Sequence, residues 1–63
     1  MNLTKEEMGY LWDAAMEKIS RNGEKLAKQM QCRIPSKTLI DYHTEQINMW
    51  EKIANELSGE LKK

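Results

Sequence analysis

A row of residues spaced alternately three and four apart runs through the last third of the chain: Ile40, His43, Ile47, Trp50, Ala54, Leu57 and Leu61. That alternation holds one stripe on one face of an α-helix. A helix with such a stripe must lay it against another surface, because isolated helices are marginal in water and gain most of their stability from packing. The chain has only 63 residues, so one further helix is the partner at hand.

That further helix is legible upstream. Thr4-Lys5-Glu6-Glu7 has the form of a capping box, in which the Thr4 hydroxyl and the Glu7 carboxylate satisfy each other's backbone N–H groups. Leu3 and Met8 have the spacing of a hydrophobic staple, and Glu6 and Glu7 suit the positive end of the helix dipole. Met1 to Leu3 form a short lead-in. Met8, Leu11, Trp12, Ala15, Met16, Ile19, Leu26 and Met30 then fall on one broad side. Asn22-Gly23 is a turn signal that would open a three-helix layout, but Ile19 and Leu26 keep phase across it with Asn22 or Gly23 at the core position between them, so a continuous helix is expected with a weak spot of about 1 kcal/mol relative to Ala. A small residue there would also let two helices approach closely. Pro35 disfavours helix at Ile34, and Ser36 is a natural cap for a second helix that Gly59 would stop. The fold class expected is all-α: an antiparallel two-helix hairpin, about 4–31 and 37–58, forming a single domain over 1–63 and dimerising into a four-helix bundle.

Size supports self-association. A chain this short buries only about 60% of its unfolded surface, and its core contributes roughly 3–5 kcal/mol. One cysteine, Cys32, cannot close an internal disulfide, and with the lone His43 it cannot form a zinc site of about four ligands. The second helix also carries another apolar row, Leu39, Tyr42, Met49 and Ile53, more than a hairpin can cover. Protein-interface residues are therefore expected among Leu11, Trp12, Ala15, Ile19, Leu26, Ile40, Ile47, Trp50, Ile53 and Leu57. Trp50 belongs to the core row, whereas Trp12 sits on its shoulder.

Formal net charge is zero, with 10 basic and 10 acidic residues, which argues against a general polyanion binder. The distribution is uneven. Lys18, Arg21, Lys25, Lys28, Arg33 and Lys37 are interrupted only by Glu24. In an antiparallel hairpin this stretch would run beside Asp41, Glu45 and Glu51, with cross-helix ion pairs setting the register. Within the first helix, Glu17 with Arg21 and Glu24 with Lys28 have the favourable i,i+4 order. Lys18, Arg21, Lys25 and Lys28 share a face and make nucleic-acid contact the alternative function.

Catalysis finds no foothold: there is no glycine-rich phosphate loop, no serine–histidine arrangement and no His/Glu pair at metal spacing. No catalytic residue, cofactor or metal is expected. His43 is expected as a half-buried seam residue bonded to a neighbour, and Cys32 as a packing thiol near the turn. No apolar run approaches the roughly 20 residues of a membrane span, the N-terminus does not resemble a secretory signal, and an unpaired cysteine fits a reducing cytoplasm.

Leu3-Thr4-Lys5-Glu6-Glu7, a short break, and Tyr42-x-x-x-Gln46-Ile47-x-x-Trp50-x-x-Ile53 together resemble the short helical-hairpin proteins encoded by phages and prophages of Gram-positive bacteria. The resemblance implies a cytoplasmic accessory protein that binds and modulates a host protein, in the manner of small helical hairpins that inhibit bacterial regulatory enzymes. Partners expected are thus a second copy of the chain and a host protein. A purely structural assembly component is the remaining alternative.

Overall fold

The Thr4 cap works as the sequence dictates. In the computed structural model, which describes residues 2–63, Thr4 Oγ1 accepts from the Glu7 N–H at 3.1 Å, and the Thr4 N–H donates to Glu7 Oε1 at 3.0 Å. Met1 of the lead-in lies outside the described residues. From this cap α1 runs over Lys5–Gln31, and α2 follows over Lys37–Leu61. The two helices pack against each other along an elongated body of 46 × 15 × 14 Å.

Asn22-Gly23 does not interrupt α1. Gly23 has ordinary helical backbone, and a Cβ built on it meets nothing within 4 Å. The close helix approach expected at that glycine is therefore absent. α2 outlasts its expected end: the helix passes through Gly59 to Leu61. Gly59 lacks the left-handed conformation of a glycine cap, and Leu61 behind it remains half-buried in phase with the seam. One glycine costs a helix only about 1 kcal/mol, too little to end it against an apolar contact.

The turn is tied from both sides. Ser36 caps α2 by accepting the Leu39 N–H at 3.3 Å, and its own N–H donates to Gln29 Oε1 of α1 at 3.1 Å. The second cross-helix bond joins Asn22 Oδ1 and His43 Nδ1 at 2.9 Å. Asn22 and Gln29 are one heptad apart on α1, as are Ser36 and His43 on α2, so a single antiparallel register runs through both bonds. Continued outward, it sets Ala15 level with Trp50 and Met8 level with Leu57.

Burial follows that register. Met8, Ala15, Ala54 and Leu57 are the buried apolar residues among those described, Leu57 at 1% exposure, and His43 is the buried polar one. The expected cross-helix ion pairs do not form. Among the described residues, the ion pairs are Arg21–Glu17 at 2.7 Å and Lys63–Glu60 at 3.1 Å, each within one helix; Glu24 and Lys28 are not paired. The reason is angular: by heptad position Lys18, Arg21 and Lys25 lie on one side of the seam, whereas Asp41, Glu45 and Glu51 lie on the back or opposite side of α2. Register is held by the two neutral hydrogen bonds instead.

Candidate interaction surface

Two outer rows flank the seam on one side of the hairpin. On α1 the row is Leu11, Ala14, Lys18, Arg21, Lys25 and Lys28; on α2 it is Leu39, Tyr42, Gln46, Met49, Ile53, Glu56 and Glu60. Each alternates steps of three and four, so each is a helical stripe in its own right. They share one side of the molecule, because Lys18, Arg21 and Lys25 line a groove of about 200 Å³ together with Tyr42, His43, Gln46 and Trp50. A groove of about 290 Å³, lined by Met16, Ile19, Glu51, Ala54 and Asn55, occupies the other side.

The first flank is both apolar and charged. Leu11 is 42% exposed, Leu39 42%, Met49 44% and Tyr42 53%, values large enough that these side chains contribute little to the hairpin's own core. The groove lining holds three cations and no carboxylate; Arg21 alone is partly neutralised, by Glu17 on the outer face. The Tyr42 ring stands edge-on to the His43 ring, with centroids 5.2 Å apart at 69°. His43 in turn is fixed by Asn22. The Asn22 amide nitrogen donates to the Lys18 carbonyl at 2.7 Å, which leaves its oxygen to accept from His43 Nδ1–H. No buried side-chain nitrogen or oxygen among the described residues lacks a partner.

The expected interface residues separate into three groups. Ala15 and Leu57 are buried between the helices; Ile19, Leu26, Ile40, Ile47, Trp50 and Ile53 are half-buried along or beside the seam; Leu11 and Trp12 are exposed, Trp12 at 37%. Of the basic residues, Lys18, Arg21 and Lys25 meet in one groove, and Lys28 continues their row beyond its lining. Cys32, expected as a packing thiol, is exposed, with Sγ 3.2 Å from the Lys28 carbonyl. It stands at the C-terminal cap of α1, in extended backbone. The seam position between Ile19 and Leu26, expected at Asn22 or Gly23, is taken by Asn22, which bonds His43 across the helices. Sequence reasoning passed over Gln46, Glu56 and Glu60 as continuations of the second α2 row.

Charge elsewhere is perturbed at Glu7, whose carboxyl lies below its ordinary value of 4.5 because the Thr4 backbone N–H, and then the Thr4 side chain, hydrogen-bond to it. Among the described residues no three His, Cys, Asp or Glu side chains converge as metal ligands would, and no helix is long and apolar enough to cross a membrane. Compared with protein families, characterised proteins and solved structures, the chain shows no match.

Proposed function

We propose that this chain is a non-enzymatic protein-binding module that pairs with a second copy of itself in a four-helix bundle and, in the cytoplasm, modulates another protein. The observation that carries this reading is the flank bearing Leu11, Leu39, Tyr42 and Met49, all more than two-fifths exposed beside a hairpin whose buried apolar residues, among those described, are Met8, Ala15, Ala54 and Leu57. Apolar excess in a row rimmed by charge is the signature of an interaction face. A face of 46 by 15 Å also approaches the roughly 800 Å² per partner that standard interfaces cover. The phage-protein resemblance supports the regulatory part, since it implies a small accessory acting on a host factor.

Light scattering across a dilution series tests the reading. The expected result is twice the chain mass at high concentration, falling on dilution together with helicity. A folded species of single-chain mass at every concentration would overturn it.

A second reading, nucleic-acid binding, is favoured by the grouping of Lys18, Arg21 and Lys25 around the exposed Tyr42 ring without a carboxylate in the lining. Cations beside an aromatic face suit a single strand. A mobility shift with a single-stranded oligonucleotide that weakens steeply with salt would support it; no shift at low salt would remove it.

A further inference from the structure

The basic groove of about 200 Å³ has two unlike walls and a floor. The α1 wall is cationic. Lys18 and Lys25 are one heptad apart, about 10.5 Å along the helix, with Arg21 between them. Among the described residues no carboxylate lines the groove, and the Glu17 partner of Arg21 competes for it only weakly, through an exposed pair. The α2 wall carries the exposed Tyr42 ring and the half-buried Trp50 ring, with the Gln46 amide between them. The floor is the hydrogen-bonded Asn22–His43 pair. His43 is more than nine-tenths buried, at 7% exposure. Its Nδ1–H goes to Asn22 Oδ1, so Nε2 of the neutral ring offers a lone pair. Among the described residues Nε2 has no hydrogen-bond partner, yet no unpartnered side-chain nitrogen is sealed in the interior. The unused polar atom of this buried ring therefore opens into the groove that the ring lines.

Three cations on one groove suit more than a single negative charge. A phosphate monoester carries about −1.5 to −2 at pH 7, against one charge for each phosphate inside a strand. Arg21 offers such a group a planar, two-pronged donor, and Lys18 and Lys25 add point charges. The open Tyr42 face suits a flat ring, which stacks there whatever its identity. His43 Nε2 suits a hydroxyl donor. From these we infer that the groove binds a nucleotide with a terminal phosphate: the phosphate on Lys18, Arg21 and Lys25, the base on Tyr42, and a sugar hydroxyl donating to His43 Nε2. A bare anion would use the α1 wall alone and leave the floor and the α2 wall idle. At about 200 Å³ the groove falls short of the roughly 300 Å³ at which pockets begin to enclose a whole ligand. The nucleotide is therefore clasped along one side, and it is either free or the 5′ end of a single strand. This narrows the nucleic-acid reading above, on which it rests. Leu11, Met49 and Ile53 lie outside the lining, so that part of the flank remains for a second copy.

NMR titration of the full chain with adenosine monophosphate (AMP) tests it, each variant being checked for helicity by circular dichroism. AMP is expected to shift the ring protons of His43 and Tyr42. It is expected to bind about tenfold or more tightly than inorganic phosphate or adenosine, since each of these meets only part of the lining. Arg21→Gln and Tyr42→Leu, both at exposed positions, are each expected to weaken AMP roughly tenfold. Lys52→Gln removes the same charge from the back of α2 and is expected to change the affinity less than about twofold. A 5′-phosphorylated oligonucleotide that displaces AMP, where its unphosphorylated form does not, assigns the strand end as the ligand; AMP binding without displacement by either assigns the free nucleotide. Equal displacement by both forms overturns the terminal phosphate. Inorganic phosphate binding as tightly as AMP, or AMP binding that leaves the His43 ring unmoved, overturns the nucleotide site. If AMP does not bind while a single strand does, the site falls and the nucleic-acid reading stands. If neither binds, both fall.

Discussion

The two halves of the hairpin are held together in different ways. In the open half, Met8, Ala15, Ala54 and Leu57 are buried, and among the described residues no cross-helix hydrogen bond is made there. In the turn half, the seam holds Asn22 with His43 and Gln29 with Ser36, and its apolar members, Leu26 and Ile40, are only half-buried. Chain connectivity accounts for the difference. A short loop already holds the ends together at the turn, so directional bonds suffice to set the register there. At the open end nothing but burial opposes separation, and the fully enclosed side chains sit there. The flank outside the seam differs likewise: cations gather beside the turn half, carboxylates beside the open half.

The sharpest way to break this division is Leu57→Ala. Removing a fully buried leucine costs about 2–5 kcal/mol, comparable to the whole core contribution of a domain this size. The helical signal at 25 °C is expected to collapse, with the N-terminal part of α1 and the C-terminal part of α2 losing amide protection first. Uniform loss along both helices in hydrogen exchange would show that the halves are not distinct.

Removing His43 acts on the other half. His43→Ala leaves the Asn22 amide oxygen without its partner in a part-buried seam, at an expected cost of about 1–3 kcal/mol, read as a lower denaturant midpoint. Replacing both, Asn22→Leu with His43→Leu, is expected to recover most of that stability, because an apolar pair leaves nothing unsatisfied. The same double variant loses the bond that discriminates one register from its neighbours, and broadened amide resonances are the expected sign. A double variant as unstable as the single would assign the pair a role in strength rather than in alignment.

Gly23 lies between the halves, and its substitution is expected to stabilise. Its backbone is helical, and an added Cβ meets open space, so Gly23→Ala is expected to raise stability by about 0.5–1 kcal/mol. A thermal midpoint that falls would mean that the glycine serves a contact made outside the hairpin.

The smallest effect is at the first turn of α1. Glu7 has its carboxyl depressed below 4.5 by the Thr4 cap, so the folded state holds the proton less tightly than the unfolded chain. The stabilisation is present in full above 4.5 and is lost as pH falls through the lower folded value. Helicity at the start of α1 is expected to decline in that acidic window, and Glu7→Gln is expected to flatten the decline. Unchanged acid sensitivity in Glu7→Gln would place its origin elsewhere.

Much of this architecture was legible in the chain. The α2 row from Ile40 to Leu61 announced a helix and its buried face, the capping box located the start of α1, and Pro35 with Ser36 located the turn, because each of these signals acts within a few residues of itself. The surplus of Tyr42, Met49 and Ile53 beside the main row was equally plain from spacing. Less was legible where the outcome depends on what stands opposite. The seam place between Ile19 and Leu26 was open to Asn22 or Gly23, and it falls to Asn22 because His43 faces it. The opposite charges of the two helices suggest pairing by sign, yet their angular positions keep them apart.

Local order along the chain thus determined two helices, their caps, the stripe each must hide and the surplus each carries, since all of these follow from periods and neighbours within single turns. Only the packing of α1 on α2 decided the register, because alignment is settled by which groups stand level. That alignment paired Asn22 with His43, enclosed Leu57 at the open end, and brought Lys18, Arg21 and Lys25 to the same side as Tyr42 and Met49.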